Sequence, residues 1–195
     1  MSMKAEWDSI HPNDLWVINK LFLATRLGYN CGPAGVDVPT PGEYIVRPSL
    51  NLMGMGIGAR DEYLEDSTDH LAPADFWCEK FYGEHMSVDY YWGECDLVVV
   101  GERQSNNPYH VWDSWYKVDR HLPRHPVLDE LHGGYEWVNC EFIDGHLIEV
   151  QFHCNSDFLY GNTVAIPVRT GGRFVVDKDY GCLLYTSPSP RDRVQ

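Results

Sequence analysis

The sequence predicts an α+β fold in which short antiparallel strands outnumber helices. A chain of 195 residues that is 44% hydrophobic and 13% aromatic can bury one sizeable core. One stretch near the start has helical spacing of apolar residues, and several later stretches are short β-branched or aromatic runs separated by glycine and proline. We therefore predict a single domain over residues 1–181.

The last residues, 182–195, have a different composition from the rest of the chain. Their sequence, CLLYTSPSPRDRVQ, is rich in serine, proline and arginine and has no periodicity. Its beginning resembles the translated adapter sequence found at the ends of metagenomic reading frames. This segment is predicted to be a non-native or disordered tail, and the domain before it to lack its native C-terminus.

The charge of the chain limits the class of ligand. The formal net charge is −14, from 29 acidic and 15 basic residues, and such a surface repels nucleic acid and anionic lipid. We expect neither nucleic acid nor a membrane as partner, since no apolar run approaches the roughly 20 residues that cross a bilayer. Six separated cysteines without a CxxC pair predict reduced thiols in a cytoplasmic protein.

The first predicted element is an amphipathic helix over residues 15–27. Pro12-Asn13-Asp14 supplies helix-start chemistry, and Gly28 stops the helical pattern. A turn-rich stretch then leads into the β-branched run 44–48, which predicts a short strand that ends at a proline.

A glycine-rich loop follows this strand. Gly54 and Gly56 belong to a run of alternate glycines within residues 49–59, which frees the backbone to present N–H groups to a ligand. Arg47, at the end of the strand, adds a permanent positive charge beside the loop. The pattern is typical of a phosphate-binding site, and a glycine-rich turn without a ligand is the alternative.

Further strands are predicted along the rest of the chain. The first is rich in aromatic side chains, which suits either an adenine slot or an ordinary core. Asp144-Gly145 between two alternating runs is the strongest hairpin signal. A short helix is predicted over 127–132. Three consecutive antiparallel strands are predicted over 76–81, 86–92 and 96–101, and two more strands over 137–143 and 146–152.

The predicted hairpin places carboxylates on adjacent strands. Glu141 and Glu149 lie on either side of its turn and can share one face of the sheet. Gln151 points the same way and adds a neutral oxygen, so the three side chains form an oxygen-only set suited to Mg²⁺. The alternative is an ordinary hairpin with both acids in solvent.

Taken in order, these features resemble the ATP-grasp family over residues 19 to about 157. The resemblance implies an α+β fold with two small antiparallel sheets and helices enclosing a nucleotide cleft, and it implies ATP and Mg²⁺ as cofactors. Lys20 resembles the helix lysine near the phosphates, and Arg47 stands where the family has its second ATP lysine. Residues 14–157 also resemble uncharacterised ATP-grasp-like proteins of marine phages.

The resemblance also implies roles for later residues. Glu84 resembles a ribose ligand, and Leu147–Gln151 is similar to the family's metal motif, with Gln151 in place of asparagine and Glu141 as the earlier acid. The residues that resemble the adenine-binding hinge are Glu79, Lys80, Phe81 and Tyr82.

Two departures from the family pattern affect the expected activity. The arginine that usually follows the metal-binding asparagine is absent, and His153 occupies its neighbourhood. Only about twelve residues precede the first helix, so we expect this chain to lack the family's N-terminal substrate domain. The resemblance then implies a Mg-ATP-binding protein that joins an unidentified carboxylate acceptor to an amine or thiol through an acyl phosphate, with Arg47 and His153 as catalytic residues.

Two rival functions remain open, and the sequence does not define an oligomeric state. One is a non-catalytic nucleotide-binding protein, such as a viral accessory factor. The other is a metal-dependent enzyme that uses His153, Asn155, Asp157 and another histidine, because a strand would present the alternate side chains 153, 155 and 157 on one face.

Overall fold

The structure is a computed structural model that describes residues 9–50, 56–109, 111–158, 160–167 and 181–183. One α-helix, α1, lies within these residues at Lys20–Arg26, and short 3-10 helices lie at Pro12–Asp14, Pro126–Glu130 and Ser156–Phe158. The strands are β1 (Cys31–Pro33), β2 (Gly42–Pro48), β3 (Arg60–Leu64), β4 (Asp75–Glu79), β5 (His85–Tyr91), β6 (Glu94–Glu102), β7 (Ser114–Lys117), β8 (Trp137–Ile143), β9 (His146–Gln151), β10 (Val164–Pro167) and β11 (Gly181–Leu183).

The strands form two sheets. The four-stranded sheet has the order β1-β4-β2-β3 and is antiparallel throughout. The seven-stranded sheet has the order β11-β10-β7-β6-β5-β8-β9, and its one parallel pair is β10 with β11. The predicted α+β class with two antiparallel sheets is confirmed. No helix among the described residues has the length and apolar character that crossing a membrane requires.

The seven-stranded sheet has two chemically different faces. One face is apolar and packs with Val17, Leu23 and Leu128 into the largest core cluster. The strand periodicity of two places polar side chains of β5, β8 and β9 on the opposite face, beside apolar residues of β6 and β7. These polar residues are Ser87, Asp89, Asn139, Glu141, Glu149 and Gln151.

The β8–β9 hairpin turns at Asp144-Gly145, as predicted. Both residues have positive φ, 48° and 82°, which is the geometry of a type I′ turn. With a two-residue turn and a regular ladder, Glu141 would pair with Ile148. The register instead shifts beside Glu141 and pairs it with Glu149, because Ile148 is an extra residue on β9.

The helix is shorter than predicted. It begins at Lys20 instead of residue 15, because Asn19 is extended and its Oδ1 accepts hydrogen bonds from the backbone N–H groups of Leu21 and Phe22. That cap satisfies N–H groups that have no partner within the helix. The end was predicted correctly, since Gly28 follows α1 with a φ of 77°.

Several strand predictions are corrected by the sheet topology. The strand predicted over 76–81 does not neighbour the one at 86–92, because β4 lies between β1 and β2 in the other sheet. Strands β1, β3, β7 and β10 were not predicted, since they are short or lie in turn-rich or charged sequence. The helix expected over 127–132 is the 3-10 helix Pro126–Glu130. The predicted tail boundary at 182 falls inside β11, and residues 184–195 lie outside the described residues.

Candidate functional site

The candidate site lies where the start of α1, the end of β2 and strand β9 meet. The backbone N–H of Lys20 donates to the carbonyl of Ser49, 2.8 Å away, which ties the helix to the residue after β2. The Nη2 of Arg47 donates to the carbonyl of Ile148, 3.2 Å away, which ties the four-stranded sheet to the seven-stranded one. Both predicted phosphate-binding cations contact β9: Arg47 through this hydrogen bond, and Lys20 through an ion pair with Glu149.

Lys20 forms a buried ion pair with Glu149. The Lys20 Nζ is 2.7 Å from Glu149 Oε2, and the two side chains are only 5% and 10% exposed. Gln151 donates from Nε2 to Glu149 Oε1 at 2.8 Å. Burial acts to raise the pKa of Glu149, but the charges of Lys20 and Arg47 and the hydrogen bonds from Lys20 and Gln151 lower it below its usual value. The carboxylate is therefore ionised at neutral pH.

Arg47 keeps a donor that nothing in the described part of the chain accepts. Its guanidinium carbon lies 5.4 Å from the centre of the Phe76 ring, and its Nε is buried without a hydrogen-bond partner among the described residues. A buried guanidinium N–H without an acceptor is costly. An anionic oxygen from a ligand would satisfy this group.

Glu141 has a different partner from Glu149. It lies opposite Glu149 in the ladder, but its Oε2 is 3.1 Å from Nε2 of His85. The carboxylates of Glu141 and Glu149 and the amide oxygen of Gln151 are the donor types that Mg²⁺ prefers. The donor set thus fits the ion, and in this structure Lys20 and His85 are the side chains that contact the two acids.

The residues of the predicted adenine hinge contact different strands: Phe81 contacts β9, and Lys80 contacts β3. Phe81 stacks on the imidazole of His146, with ring centres 4.1 Å apart and planes at 7°. Tyr29 packs edge-on against the Phe81 ring, with ring centres 4.7 Å apart. Lys80 instead pairs with Asp61 at 2.9 Å, and the Tyr82 side chain is exposed. Of the hinge residues, Phe81 is the one that stacks on a residue of β9.

The carboxylates of the other two predicted nucleotide-binding acids, Glu79 and Glu84, are bonded to groups of the protein. Glu79 accepts at Oε1 from the backbone N–H of Asn30, 2.8 Å away. Glu84 forms an ion pair with Arg120, so its carboxylate is engaged by a loop cation. Gly56 has a φ of 65°, the left-handed region that glycine favours. Gly54 lies outside the described residues.

His153 is exposed, and its Nδ1 lies 3.2 Å from the carbonyl oxygen of Cys154. The metal hypothesis for His153, Asn155 and Asp157 required a strand, and that requirement is wrong: β9 ends at Gln151, and a 3-10 helix covers Ser156–Phe158. The three side chains therefore do not alternate along a strand.

A buried polar network lies beside Glu141, and of its residues a ligand-binding role was proposed from the sequence for Asn155 alone. Asp89 is 1% exposed, and its Oδ1 accepts from the side-chain amide groups of Asn139 at 2.7 Å and Asn155 at 3.2 Å. The backbone N–H of Asn155 donates to Asp89 Oδ2 at 2.8 Å, and Asn139 also donates to Ser87 Oγ at 2.7 Å. Burial raises the pKa of Asp89 to about 6, although these hydrogen bonds act to lower it. The alternation of Ser87 and Asp89 with apolar neighbours was the available sequence signal.

A shallow recess extends from this network along the same face of the sheet. Trp115 lines it, and the indole Nε1 of that residue is buried without a hydrogen-bond partner among the described residues. The residues that line the recess therefore include two carboxylates, one side-chain amide and the indole with the unsatisfied donor. The other lining residues are Ser87, Val99, Glu141, Asn155, Asp157 and Phe158.

Comparison with known proteins gives structural likenesses alone. No family model matches the chain, and no curated protein matches it. The ATP-grasp ligase PsnB with a minimal precursor is similar at a TM-score of 0.47 and 17% identity, covering 78% of this chain and 57% of that one. A protein described as an ATP-grasp superfamily member from Archaeoglobus fulgidus gives 0.44 and 14%, covering 71% and 46%.

A further similar structure is the L-amino acid ligase from Bacillus licheniformis. Its TM-score is 0.41 at 12% identity, and the match covers 74% of this chain and 42% of that one. The chain thus spans about half the length of these proteins. Likenesses at this level carry no argument about reaction, ligand or partner.

Proposed function

We propose that this chain binds Mg-ATP where its two sheets meet, and that it uses the nucleotide to join a carboxylate to an amine or thiol. The observation that carries the proposal is the convergence of Lys20 and Arg47 on β9, with a buried Arg47 Nε that lacks an acceptor among the described residues. The chain has a net charge of −14, so an anionic ligand needs a local group of positive charges. Lys20 and Arg47 supply this local positive charge.

The proposed roles follow from the chemistry of each side chain. Lys20 and Arg47 would hold phosphate oxygens, and the backbone around Gly56 would contribute N–H groups. The acids Glu141 and Glu149, with Gln151, would hold Mg²⁺, which when bound neutralises phosphate charge. Fixed charges of this kind stabilise a phosphoryl group during transfer without a protein nucleophile.

The Lys20–Glu149 pair makes metal and nucleotide binding interdependent. In this structure Glu149 neutralises Lys20. A metal held by Glu149 would free the Lys20 ammonium for phosphate, and phosphate on Lys20 would free Glu149 for the metal. We therefore expect Mg²⁺ and ATP together to bind more tightly than either does alone.

The ligase half of the proposal rests on the resemblance of the sequence to the ATP-grasp family. PsnB has been solved with Mg and ADP, and the Bacillus licheniformis protein is named an L-amino acid ligase. Those facts belong to those proteins. Fold-level analogy does not transfer a reaction, so the acceptor carboxylate has to be found by assay.

A non-catalytic nucleotide-binding protein is the second candidate. The observation that favours it is His153, which stands near the place of the family's arginine but is exposed, with Nδ1 beside the Cys154 carbonyl. Such a protein would bind Mg-ATP without turning it over.

Thermal unfolding with Mg-ATP, ATP alone and Mg²⁺ alone tests the binding half. A ligand at about 100 times its dissociation constant stabilises the folded state by roughly 2.7 kcal/mol. We expect that shift in the parent and in Arg26→Ala, which removes an exposed arginine from α1. The shift should be lost in Arg47→Ala and Glu149→Gln. An equal shift in all variants, or none in the parent, would exclude this nucleotide site.

Release of ADP with a panel of carboxylates, each with an amine or a thiol, separates the two candidates. Turnover that is lost in Arg47→Ala supports the ligase. Tight Mg-ATP binding without ADP release from any acceptor supports the binding protein.

A further inference from the structure

A second group of metal-ligating side chains lies outside the proposed nucleotide site. His11, Asp14 and His132 each offer one ligand atom, and these atoms all lie within 4.8 Å of one another. The two imidazole rings are stacked, with centres 5.6 Å apart and planes at 6°. Ligands of one tetrahedral ion are about 3.4 Å apart when the metal–nitrogen bonds are about 2.1 Å long, so small side-chain movements suffice.

Asp14 is held as a buried carboxylate with a fixed orientation. It is fully buried, and its oxygens accept from the backbone N–H groups of His132 at 2.9 and 3.0 Å and of Gly133 at 2.8 Å. The Tyr135 hydroxyl donates to Oδ2 at 2.7 Å. Outer hydrogen bonds of this kind orient a metal ligand.

The two histidines are exposed and have replaceable partners. Nδ1 of His132 lies 3.1 Å from Asp14 Oδ1. Nδ1 of His11 accepts from the backbone N–H of Asn13 over 3.3 Å. A metal ion could replace either contact without uncovering a buried group, because both rings face solvent.

We propose that His11, Asp14 and His132 bind a divalent transition-metal ion of the Zn²⁺ type. Two imidazoles with one carboxylate suit such an ion, whereas the oxygen-only set of the nucleotide site suits Mg²⁺. The ion would join the segment before α1 to a loop 118 positions further along the chain. Three protein ligands leave one tetrahedral position for water. This site does not depend on nucleotide binding.

Titration calorimetry with ZnCl2 and CoCl2 on the full chain, purified without a histidine tag, tests this site. We expect one ion per chain and a rise in melting temperature that EDTA reverses. Loss of an outer-shell partner of a metal ligand weakens binding roughly 10–100-fold, so His11→Ala and His132→Ala, which remove ligands, should each weaken Zn²⁺ binding by at least that factor. His121→Ala removes another exposed histidine, and it should bind as the parent does. MgCl2 should not compete.

Either of two results would overturn the proposal. One is no Zn²⁺ binding by the parent at millimolar concentration, and the other is unchanged binding in the His11→Ala/His132→Ala double variant. In the second case the ion sits elsewhere, for example on a free thiol. Unfolding in EDTA measures the stability that each variant loses with its own contacts to Asn13 or Asp14. The further rise in melting temperature on adding Zn²⁺ should be seen in the parent and lost in both variants, which separates lost ligands from lost folding.

Discussion

Glu141 lies directly opposite Glu149 across the β8–β9 ladder, yet the two carboxylates have different partners. Lys20 is 2.7 Å from Glu149, and His85 is 3.1 Å from Glu141. Like charges directly opposite each other destabilise a sheet, and here each acid has its own hydrogen-bonding partner. The contributions of Glu141 and Glu149 to the proposed Mg²⁺ site can therefore be tested separately.

Replacing Lys20 with methionine should lower the free energy of unfolding by about 3–5 kcal/mol, because Glu149 would remain buried without its partner. Urea unfolding at neutral pH measures this change. The double variant Lys20→Met/Glu149→Leu should recover most of the loss, since it removes both charges. A double variant as unstable as the single one would show that packing, and not the unpaired charge, causes the loss.

Asp89→Asn should change the pH dependence of stability between about pH 4 and pH 6. Burial raises the pKa of folded Asp89 to about 6, whereas the pKa of an unfolded aspartate is about 3.9. Below about pH 4 both states are protonated, and as pH rises toward 6 the unfolded state gains by ionising first. The parent should therefore lose stability relative to Asp89→Asn over this range, by up to roughly 3 kcal/mol.

Chemical unfolding of both proteins at several pH values from 4 to 7 measures this difference. It should grow with rising pH and level off above the pKa of folded Asp89. A difference that is constant with pH would mean that Asp89 is ionised in the folded state throughout the range.

Asn19→Ala should destabilise the protein by about 1 kcal/mol, because the Asn19 Oδ1 caps the N–H groups of Leu21 and Phe22 at the start of α1. Thermal unfolding measures the change. Asn13→Ala is the matched control, since that side chain is exposed and caps nothing in α1. Equal effects from the two variants would argue against the cap.

Gly83→Ala should cost about 1–3 kcal/mol through overpacking. A Cβ on Gly83 would lie 2.6 Å from the Cβ of Asp144, and the φ of 135° is one that other L-residues rarely adopt. Gly134→Ala is the control, because a Cβ there meets nothing within 4 Å. Unfolding of both variants under one set of conditions gives the comparison, and equal stability would contradict the close approach at the hairpin turn.

Phe81→Ala should weaken Mg-ATP binding roughly tenfold if adenine stacks on Phe81, since stacking on an aromatic ring contributes about 1–3 kcal/mol. His146→Ala should bind Mg-ATP at least as well as the parent, because the imidazole now covers a face of Phe81. Fluorescence titration measures both. Loss of binding in His146→Ala alone would instead assign the contact to His146.

The hairpin shows how much of the fold and site could be predicted. A type I′ turn at Asp144-Gly145 needs positive φ at both positions, so the turn and its two strands could be predicted from local sequence. The pairing of Glu141 with Glu149 depends on the bulge at Ile148. The extra residue at Ile148 could not be predicted, because a bulge is selected by packing on both faces of the strand.

The other omissions have a similar physical cause. The short strands β1 and β7 form because a longer neighbouring strand offers free ladder positions, which no pattern within three or four residues reveals. The pairing of Glu84 with Arg120 and of Lys80 with Asp61 depends on chain crossings far apart in sequence. Residue type predicts that such charges need partners, and only the fold identifies them.

Because of the bulge at Ile148, the number of residues in β9 determines which of its side chains lie on the polar face of the sheet. Without the extra residue in the register, Glu149 would fall opposite Cys140, which belongs to the apolar face and is fully buried. Deleting Ile148 itself should leave Glu149 opposite Glu141 while removing the carbonyl that receives Arg47. A one-residue deletion would thus remove one hydrogen bond between the two sheets and spare the acids, whereas inserting one residue after Ile148 would turn both Glu149 and Gln151 into the core.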